Sequence, residues 1–186
     1  MNTLQLLRAN RAFPVPAVGV YPADRIPLRW PRPYALIINT DNHDRPGVHW
    51  VAVYLNKNGH AIFFDSYGMP PSVSHHHQRI RKNSTRFGWN TKRLQSFNST
   101  VCGQYCVMFL YFMSHGYTLD HFYNLFSNNY KLNDNFVRQF FKKISNNRII
   151  NKKKKRRRNH NFILKGNDRK DEKFCIQSCR SKYSVM

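Results

Sequence analysis

Apolar residues fall into short runs separated by polar turns, a pattern that predicts strands around one buried helix. Tyr34–Asn39, His49–Leu55 and His60–Asp65 are predicted as strands, since each is short and rich in β-branched or aromatic residues. The last two flank Asn56-Lys-Asn-Gly59, a turn sequence typical of a β-hairpin. A further short strand is predicted over Trp89–Gln95.

Three helices are predicted after these strands. Cys102–Met113 is apolar on nearly all sides, which is typical of a central, buried helix. Thr118 is a candidate N-cap for a helix ending near Phe126, and Asn133–Ile144 carries an apolar stripe at helical spacing. The predicted fold class is α+β, with a small mixed sheet packed on the central helix.

The chain divides by composition into a lead-in (1–17), one compact domain (18–146) and a basic, disordered tail (147–186). Within the domain, residues 67–93 are expected to be mostly loop because they carry a glycine, two adjacent prolines and a histidine run. The tail opens with a basic block that is typical of a nuclear-localisation or polyanion-binding segment: Lys152, Lys153, Lys154, Lys155, Arg156, Arg157 and Arg158.

The charge changes the picture, because the formal net charge of +22 is not confined to the tail. Residues 1–150 hold 18 Lys and Arg against 6 Asp and Glu, and residues 151–186 hold 13 against 3. A body that is itself strongly basic indicates a polyanionic partner, with nucleic acid as the first expectation.

No membrane partner and no secretion are expected. The longest strongly apolar run, Tyr105–Met113, is too short to span a bilayer, and no signal peptide is visible. Four cysteines are too few for a disulfide scaffold, so the thiols are expected to be reduced inside a cell.

Cys102 is the candidate nucleophile. If it opens the central helix, its sulfur lies at the positive end of the helix dipole, which lowers a thiol pKa and stabilises the thiolate. Gly103 would let a substrate backbone approach closely. The alternative is that Cys102 is a small buried hydrophobic residue, as most free cysteines are.

Three upstream side chains could complete this chemistry. His49 heads a predicted strand and Asp65 ends the strand that the hairpin pairs with it, so the two can be neighbours as general base and orienting carboxylate. Gln95, seven residues before Cys102, could donate its side-chain N–H to an oxyanion beside the Cys102 amide.

A metal site is not expected, and no cofactor is needed for this chemistry. Cys102 and Cys106 are four residues apart on one predicted helix, but their apolar neighbourhood supplies no third ligand. Cys175 and Cys179 in the tail have no histidine at the spacing of a zinc finger.

The order of these motifs resembles the adenovirus-type endopeptidase (adenain) family and, more distantly, the ubiquitin-like-protein proteases of the same clan. The similar segments, spread over about residues 18–145, are Gly19-Val-Tyr-Pro-Ala-Asp24, Tyr34-Ala-Leu-Ile-Ile-Asn-Thr40, Gly47-Val-His-Trp-Val-Ala-Val53, Phe63-Phe-Asp-Ser-Tyr-Gly68 and Gln95-Ser-Phe-Asn-Ser-Thr-Val-Cys-Gly103.

The resemblance implies a papain-like or adenain-like cysteine protease domain that cuts after Gly in small-residue motifs of viral structural precursors. It implies His49 as base, Asp65 as orienter, Gln95 as oxyanion donor and Cys102 as nucleophile. It also implies DNA and a peptide as activators, and a nuclear or virion-associated location. No cysteine precedes Cys102, so the activator disulfide of adenain cannot form there.

Two other functions remain open at this stage. The first is a protease of the same clan that removes ubiquitin-like modifiers from their conjugates. The second is a nucleic-acid-binding protein on an inactive protease fold, which the charge alone would support.

Overall fold

The computed structural model describes residues 2–10, 13–15 and 18–158 and has at its centre a mixed sheet whose five strands lie in chain order. The strands are β1 (Val18–Tyr21), β2 (Tyr34–Asn39), β3 (Trp50–Leu55), β4 (His60–Phe64) and β5 (Arg86–Trp89). The three middle strands are antiparallel, whereas β1 runs parallel to β2 and β5 runs parallel to β4. The predicted α+β class with a small mixed sheet is confirmed.

Helices lie on both faces of this sheet. They are α1 (Thr3–Asn10), α2 (Ser74–Asn83), α3 (Cys102–Ser114), α4 (Leu119–Tyr123) and α5 (Tyr130–Arg158). The predicted central helix is confirmed as α3, nearly all of whose residues are buried. Thr118 caps α4 as predicted, since its hydroxyl accepts a hydrogen bond from the His121 N–H.

Aromatic packing fixes α3 against the sheet. The ring of Phe64, at the end of β4, stacks on Phe109 of α3 with centroids 4.6 Å apart, and Phe122 of α4 meets both rings edge-on. The opposite face of the sheet buries a second cluster that includes Trp30 and Ile80 of α2. The end of β4 is therefore packed against α3, which matters because Asp65 follows directly.

The predicted strand over Trp89–Gln95 is wrong in position, because β5 ends at Trp89. The N–H groups of Leu94 and Gln95 both donate to the carbonyl of Ser66, at 2.9 and 3.1 Å. The chain after β5 is thus a loop that folds back onto the residues following β4.

Helix α2 lies inside the segment that was expected to be mostly loop. Its buried residues are His76 and Ile80, so the helical apolar period is too weak to be read from the sequence. The His76 ring nitrogen Nε2 bonds the Asn39 carbonyl at 3.2 Å, and burial lowers the pKa of His76 to about 4. His76 is therefore a neutral packing residue, not part of a solvated loop.

The chain divides into two units, Met1–Arg148 and Ile149–Met186. Helix α5 is described as far as Arg158, so its last turns overlap the predicted tail (147–186), whose disorder stays a prediction. Neither Gly nor Pro interrupts this segment, and Lys and Arg have high helix propensity. Residues 159–186, including Cys175 and Cys179, lie outside the described residues, and the predicted domain boundary stays a prediction.

The predicted lead-in contributes to the core of the first unit. Leu6 and Ala9 of α1 are buried in the same cluster as α3, together with Phe13 and Val15.

Candidate active site

Cys102 is the first residue of α3, as predicted, and it is buried. Val101 at the N-cap has no side chain that can satisfy the first amides of the helix. The Gly103 N–H donates toward the Cys102 sulfur, and among the described residues the Cys102 N–H has no acceptor. The start of α3 therefore presents a sulfur and an unpaired amide at the positive end of a helix dipole.

His49 is held at the entrance to β3. Its carbonyl accepts hydrogen bonds from the Thr40 N–H at 2.9 Å and the Thr40 hydroxyl at 3.4 Å. Two residues earlier, Gly47 has φ +83°, and a Cβ there would lie 2.7 Å from the Asn39 side chain. This left-handed turn directs the chain into β3 and places the imidazole beside Cys102.

Asp65 directly follows β4 and accepts two hydrogen bonds at Oδ1. One comes from His49 Nε2 at 2.9 Å and the other from the Tyr67 N–H at 2.8 Å. Because Asp65 occupies Nε2, Nδ1 is the ring nitrogen that remains for the Cys102 thiol. The structure thus brings together the three residues predicted as catalytic, in the order carboxylate, imidazole and thiol.

The electrostatics of this group favour a charged pair. Burial alone would lower the pKa of His49, but hydrogen bonds to Asp65 and Cys102 outweigh it and raise that pKa to about 9. Burial alone would raise the pKa of Cys102, but the hydrogen bond from His49 and those from the backbone of Trp50 and Gly103 bring it below its ordinary value. A thiolate beside an imidazolium is the arrangement that a cysteine nucleophile needs.

Gln95 belongs to the same group of residues but is engaged differently from the prediction. Its side chain is fully buried, and its Oε1 accepts from the Ser66 hydroxyl at 2.7 Å. Its Nε2 donates to the Ser99 carbonyl at 2.8 Å and to the Tyr67 hydroxyl at 3.3 Å. Both N–H groups are therefore in use, and direct donation to an oxyanion would require one of these bonds to open.

Two residues that support the site were missed in the sequence. Asn90 is fully buried, accepts from the Asp65 N–H at 2.7 Å and donates to the Asp65 carbonyl at 2.6 Å. The Tyr67 ring packs against the His49 ring in a tilted arrangement, with centroids 5.1 Å apart. Asn90 was missed because it lay inside the strand predicted over Trp89–Gln95, where its side chain was not expected to bond the backbone of Asp65. No sequence signal marked Tyr67.

Cys106 is structural, as predicted. It is fully buried one turn after Cys102, and its thiol donates to the Trp50 carbonyl at 3.3 Å. Burial raises the pKa of Cys106 well above its ordinary value. Within the described ranges, no three His, Cys, Asp or Glu side chains come together as metal ligands would.

The predicted basic block, Lys152–Arg158, lies on the last turns of α5. Its role in nucleic-acid binding stays a prediction. In the part of the chain that the structure describes, no helix is both long and apolar enough to cross a membrane.

A thiol at the start of a buried helix, beside a His and a carboxylate from two neighbouring strands, is an arrangement suited to cysteine-nucleophile chemistry. Two solved structures are similar to part of this chain. The ASFV pS273R protease is 22% identical, with 54% of this chain and 42% of that chain covered at a TM-score of 0.37. ChlaDub1 from Chlamydia trachomatis is 16% identical, with 61% of this chain and 62% of that chain covered at a TM-score of 0.41.

This chain therefore matches less than two thirds of the length of either protein. No protein-family model and no curated protein matches it. With TM-scores this low, the geometry around Cys102 is the basis for the functional conclusion.

Proposed function

We propose that this protein is a cysteine endopeptidase with Cys102 as nucleophile, His49 as general acid and base, and Asp65 as the carboxylate that orients the imidazole. The observation that carries the proposal is the 2.9 Å hydrogen bond between His49 Nε2 and Asp65, with the thiol of Cys102 bonded to the same ring. A structural cysteine needs none of these contacts.

The reaction follows from this geometry. The Cys102 thiolate attacks the carbonyl carbon of the scissile peptide bond, and the carbonyl π electrons move to oxygen. His49 gives its proton to the leaving amine as the C–N bond breaks, which leaves a thioester on Cys102. His49 then takes a proton from water, whose oxygen attacks the thioester and releases a carboxylate and the restored thiol.

The substrate proposed is a protein with Gly-containing cleavage sites, such as a structural precursor of a virus or of a virus-derived element. Support for this class comes from the adenain-like order of the motifs around His49, Asp65 and Cys102. Removal of ubiquitin-like modifiers would use the same chemistry but would demand affinity for the folded modifier.

DNA is proposed as an activating partner, in a nuclear or virion-associated setting. A basic cluster on the first unit supports this: the exposed residues Arg29, Arg32, Arg81, Lys82 and Arg86. Asn83, at the end of α2, holds these segments together. Its side chain is hydrogen-bonded to the backbone of the two residues that flank Arg29, and its backbone carbonyl accepts a hydrogen bond from the Arg32 side chain. Clustered cations of this kind attract phosphate backbones.

The direct test is hydrolysis of a fluorogenic peptide ending in Gly-Gly by the purified full chain, with and without double-stranded DNA. The matched control is Cys102→Ser, which keeps the size of the side chain and removes the thiol. We expect hydrolysis by the wild type, its loss in Cys102→Ser, and a DNA-dependent increase that falls as salt is added.

Hydrolysis that survives in Cys102→Ser would exclude a cysteine nucleophile. If a folded ubiquitin-like modifier with a C-terminal Gly-Gly is a far better substrate than the short peptide, deconjugation replaces precursor processing as the function. Tight DNA binding with no hydrolysis and no selective labelling of Cys102 by an alkylating reagent would favour the inactive nucleic-acid-binding protein.

A further inference from the structure

Both N–H groups of the Gln95 amide are already hydrogen-bonded, so another group must donate to the oxyanion beside the Cys102 amide. A primary amide has two N–H groups, and those of Gln95 go to the Ser99 carbonyl and the Tyr67 hydroxyl. The Ser66 hydroxyl fixes the other end of the amide through Oε1. The Gln95 amide is thus held by hydrogen bonds at both its oxygen and its nitrogen. The longer of its two N–H hydrogen bonds, at 3.3 Å, goes to the Tyr67 hydroxyl.

The Tyr67 hydroxyl accepts this bond and keeps its own proton for another partner. No acceptor for that O–H exists among the residues that the structure describes. The side chain is partly exposed, in contrast to the fully buried Gln95 beneath it. The hydroxyl is therefore the polar group of this network that can still donate.

The ring of Tyr67 contacts two other rings next to the reacting residues. It packs against His49 in a tilted arrangement with centroids 5.1 Å apart, and it stacks on Phe97 at 5.8 Å with an interplanar angle of 21°. The backbone N–H of the same residue donates to Asp65 Oδ1. Tyr67 thus contacts the base, the orienting carboxylate and Gln95, so its position is set by the same contacts that assemble the site.

We propose that the Tyr67 hydroxyl, oriented by Gln95, is an oxyanion donor that acts together with the Cys102 amide. This role rests on the proposed protease function and adds a residue to it. When the thiolate attacks, the carbonyl electron pair moves to oxygen, and the Tyr67 O–H and the Cys102 N–H donate hydrogen bonds to that oxygen without losing their protons. Both bonds weaken when the intermediate collapses and the amine leaves.

The hydroxyl is suited to this role because it stays protonated. Burial, the negative charge of the Cys102 thiolate and that of Asp65 all raise the pKa of Tyr67 above its ordinary value. A donor that does not ionise at neutral or mildly alkaline pH can stabilise an oxyanion throughout the working range of the enzyme.

Tyr67→Phe tests the proposal, since it keeps the ring stacks and removes the O–H. Loss of one oxyanion donor lowers kcat by about 10²–10³-fold, and we expect a fall in this range with little change in KM. A peptide aldehyde ending in Gly adds to the Cys102 thiol and places its oxygen where the oxyanion forms, so its affinity should fall as well. Alkylation of Cys102 by iodoacetamide develops no oxyanion, and its rate should be unchanged.

Tyr54→Phe is the matched control, because it removes a tyrosine hydroxyl from β3 near the C-terminal end of α3, whereas Cys102 is the first residue of that helix (Tyr54 lies beside Met113, Gly116 and Tyr117). We expect hydrolysis, aldehyde affinity and alkylation by Tyr54→Phe to match the wild type. Thermal unfolding of both variants shows whether either is merely less stable.

Three results would overturn the role of the hydroxyl. If Tyr67→Phe hydrolyses the peptide at the wild-type rate, the oxyanion is stabilised by Gln95 or by the Cys102 amide alone. Alkylation that falls as much as hydrolysis would make Tyr67 a positioning residue for His49. A wild-type chain that cleaves no peptide defeats the proposed function first, and the role of Tyr67 with it.

Discussion

At the scale of single residues, the site depends on two pKa shifts of opposite direction. The pKa of His49 is raised to about 9, although burial alone would lower it, because Asp65 and Cys102 accept its hydrogen bonds. The pKa of Cys102 is lowered although the thiol is buried. At a pH above the pKa of Cys102 and below that of His49, the thiolate and the imidazolium coexist. This is the pH window in which the proposed enzyme should work.

The pH dependence of hydrolysis should show both shifts. On the acidic side, the rate should rise with pH below the range of an ordinary thiol, near 8.5, because the Cys102 proton is already lost. On the alkaline side it should fall through about 9, where His49 loses the proton that the leaving amine needs. The measurement is kcat/KM of the Gly-Gly peptide against pH, beside the iodoacetamide rate.

His49→Gln is the comparison for that profile. It removes the imidazolium while the thiol stays buried, so the pKa of Cys102 should rise and its alkylation rate at neutral pH should fall. A wild-type profile that rises only near the pKa of a free thiol would contradict the charged pair.

The residues proposed for the chemistry could be picked out in the sequence, whereas those that hold them in place could not. His49, Asp65 and Cys102 stand out in their local sequence, since His49 and Cys102 begin apolar runs and Asp65 ends one. Asn90 and Tyr67 are ordinary in sequence. The contact of Asn90 with Asp65 depends on the chain after β5 returning to the end of β4, and that of Tyr67 with His49 depends on the pairing of β3 with β4. Contacts of this kind come from the tertiary fold and leave no local pattern.

At the scale of elements, β4 and β5 end together because Asn90 bridges them. Its side chain satisfies both the N–H and the C=O of Asp65, at 2.7 and 2.6 Å, and also donates to the Lys92 carbonyl. Helices and strands with a clear apolar period, such as α3 and β2, were predictable within a residue. Helix α2 could not be predicted, since the residues that it buries are His76 and Ile80.

Asn90→Ala should therefore lower both stability and activity. It leaves the buried N–H of Asp65 without a partner, whereas the Asp65 carbonyl still accepts from the Gly68 N–H at 2.8 Å. The expected cost is about 1–3 kcal/mol in the free energy of unfolding. Urea unfolding measures this cost, and kcat should fall as well because Asp65 no longer holds the His49 ring. Asn58→Ala on the exposed β3–β4 turn is the control and should change the free energy of unfolding by less than about 0.5 kcal/mol. Equal stabilities for the two variants would show that Asn90 is not the bridge.

At the scale of the whole molecule, catalytic groups and charge are distributed differently. His49, Asp65, Gln95 and Cys102 all lie in the first unit, Met1–Arg148. The positive charge is spread over both units, with 13 of the 31 Lys and Arg after residue 148. Truncation after the first unit should therefore reduce the attraction to a polyanion without removing the proposed chemistry.

A chain ending at Arg148 should keep peptide hydrolysis and bind DNA less tightly. It retains Val137 and Phe140, the residues through which α5 enters the core, so the first unit should fold and hydrolyse the peptide within about twofold of the full chain in the absence of DNA. Each lost phosphate contact lowers the slope of log Kd against log salt by about 0.9, so truncation should flatten this slope by several units.

Arg81→Glu with Lys82→Glu in the full chain should flatten the slope of log Kd against log salt by about two. Lys142→Glu, which changes an exposed cation on α5 away from the end of α2, should have a smaller effect. An unchanged slope after truncation would place DNA binding on the first unit alone, and the basic block of α5 would then have another role.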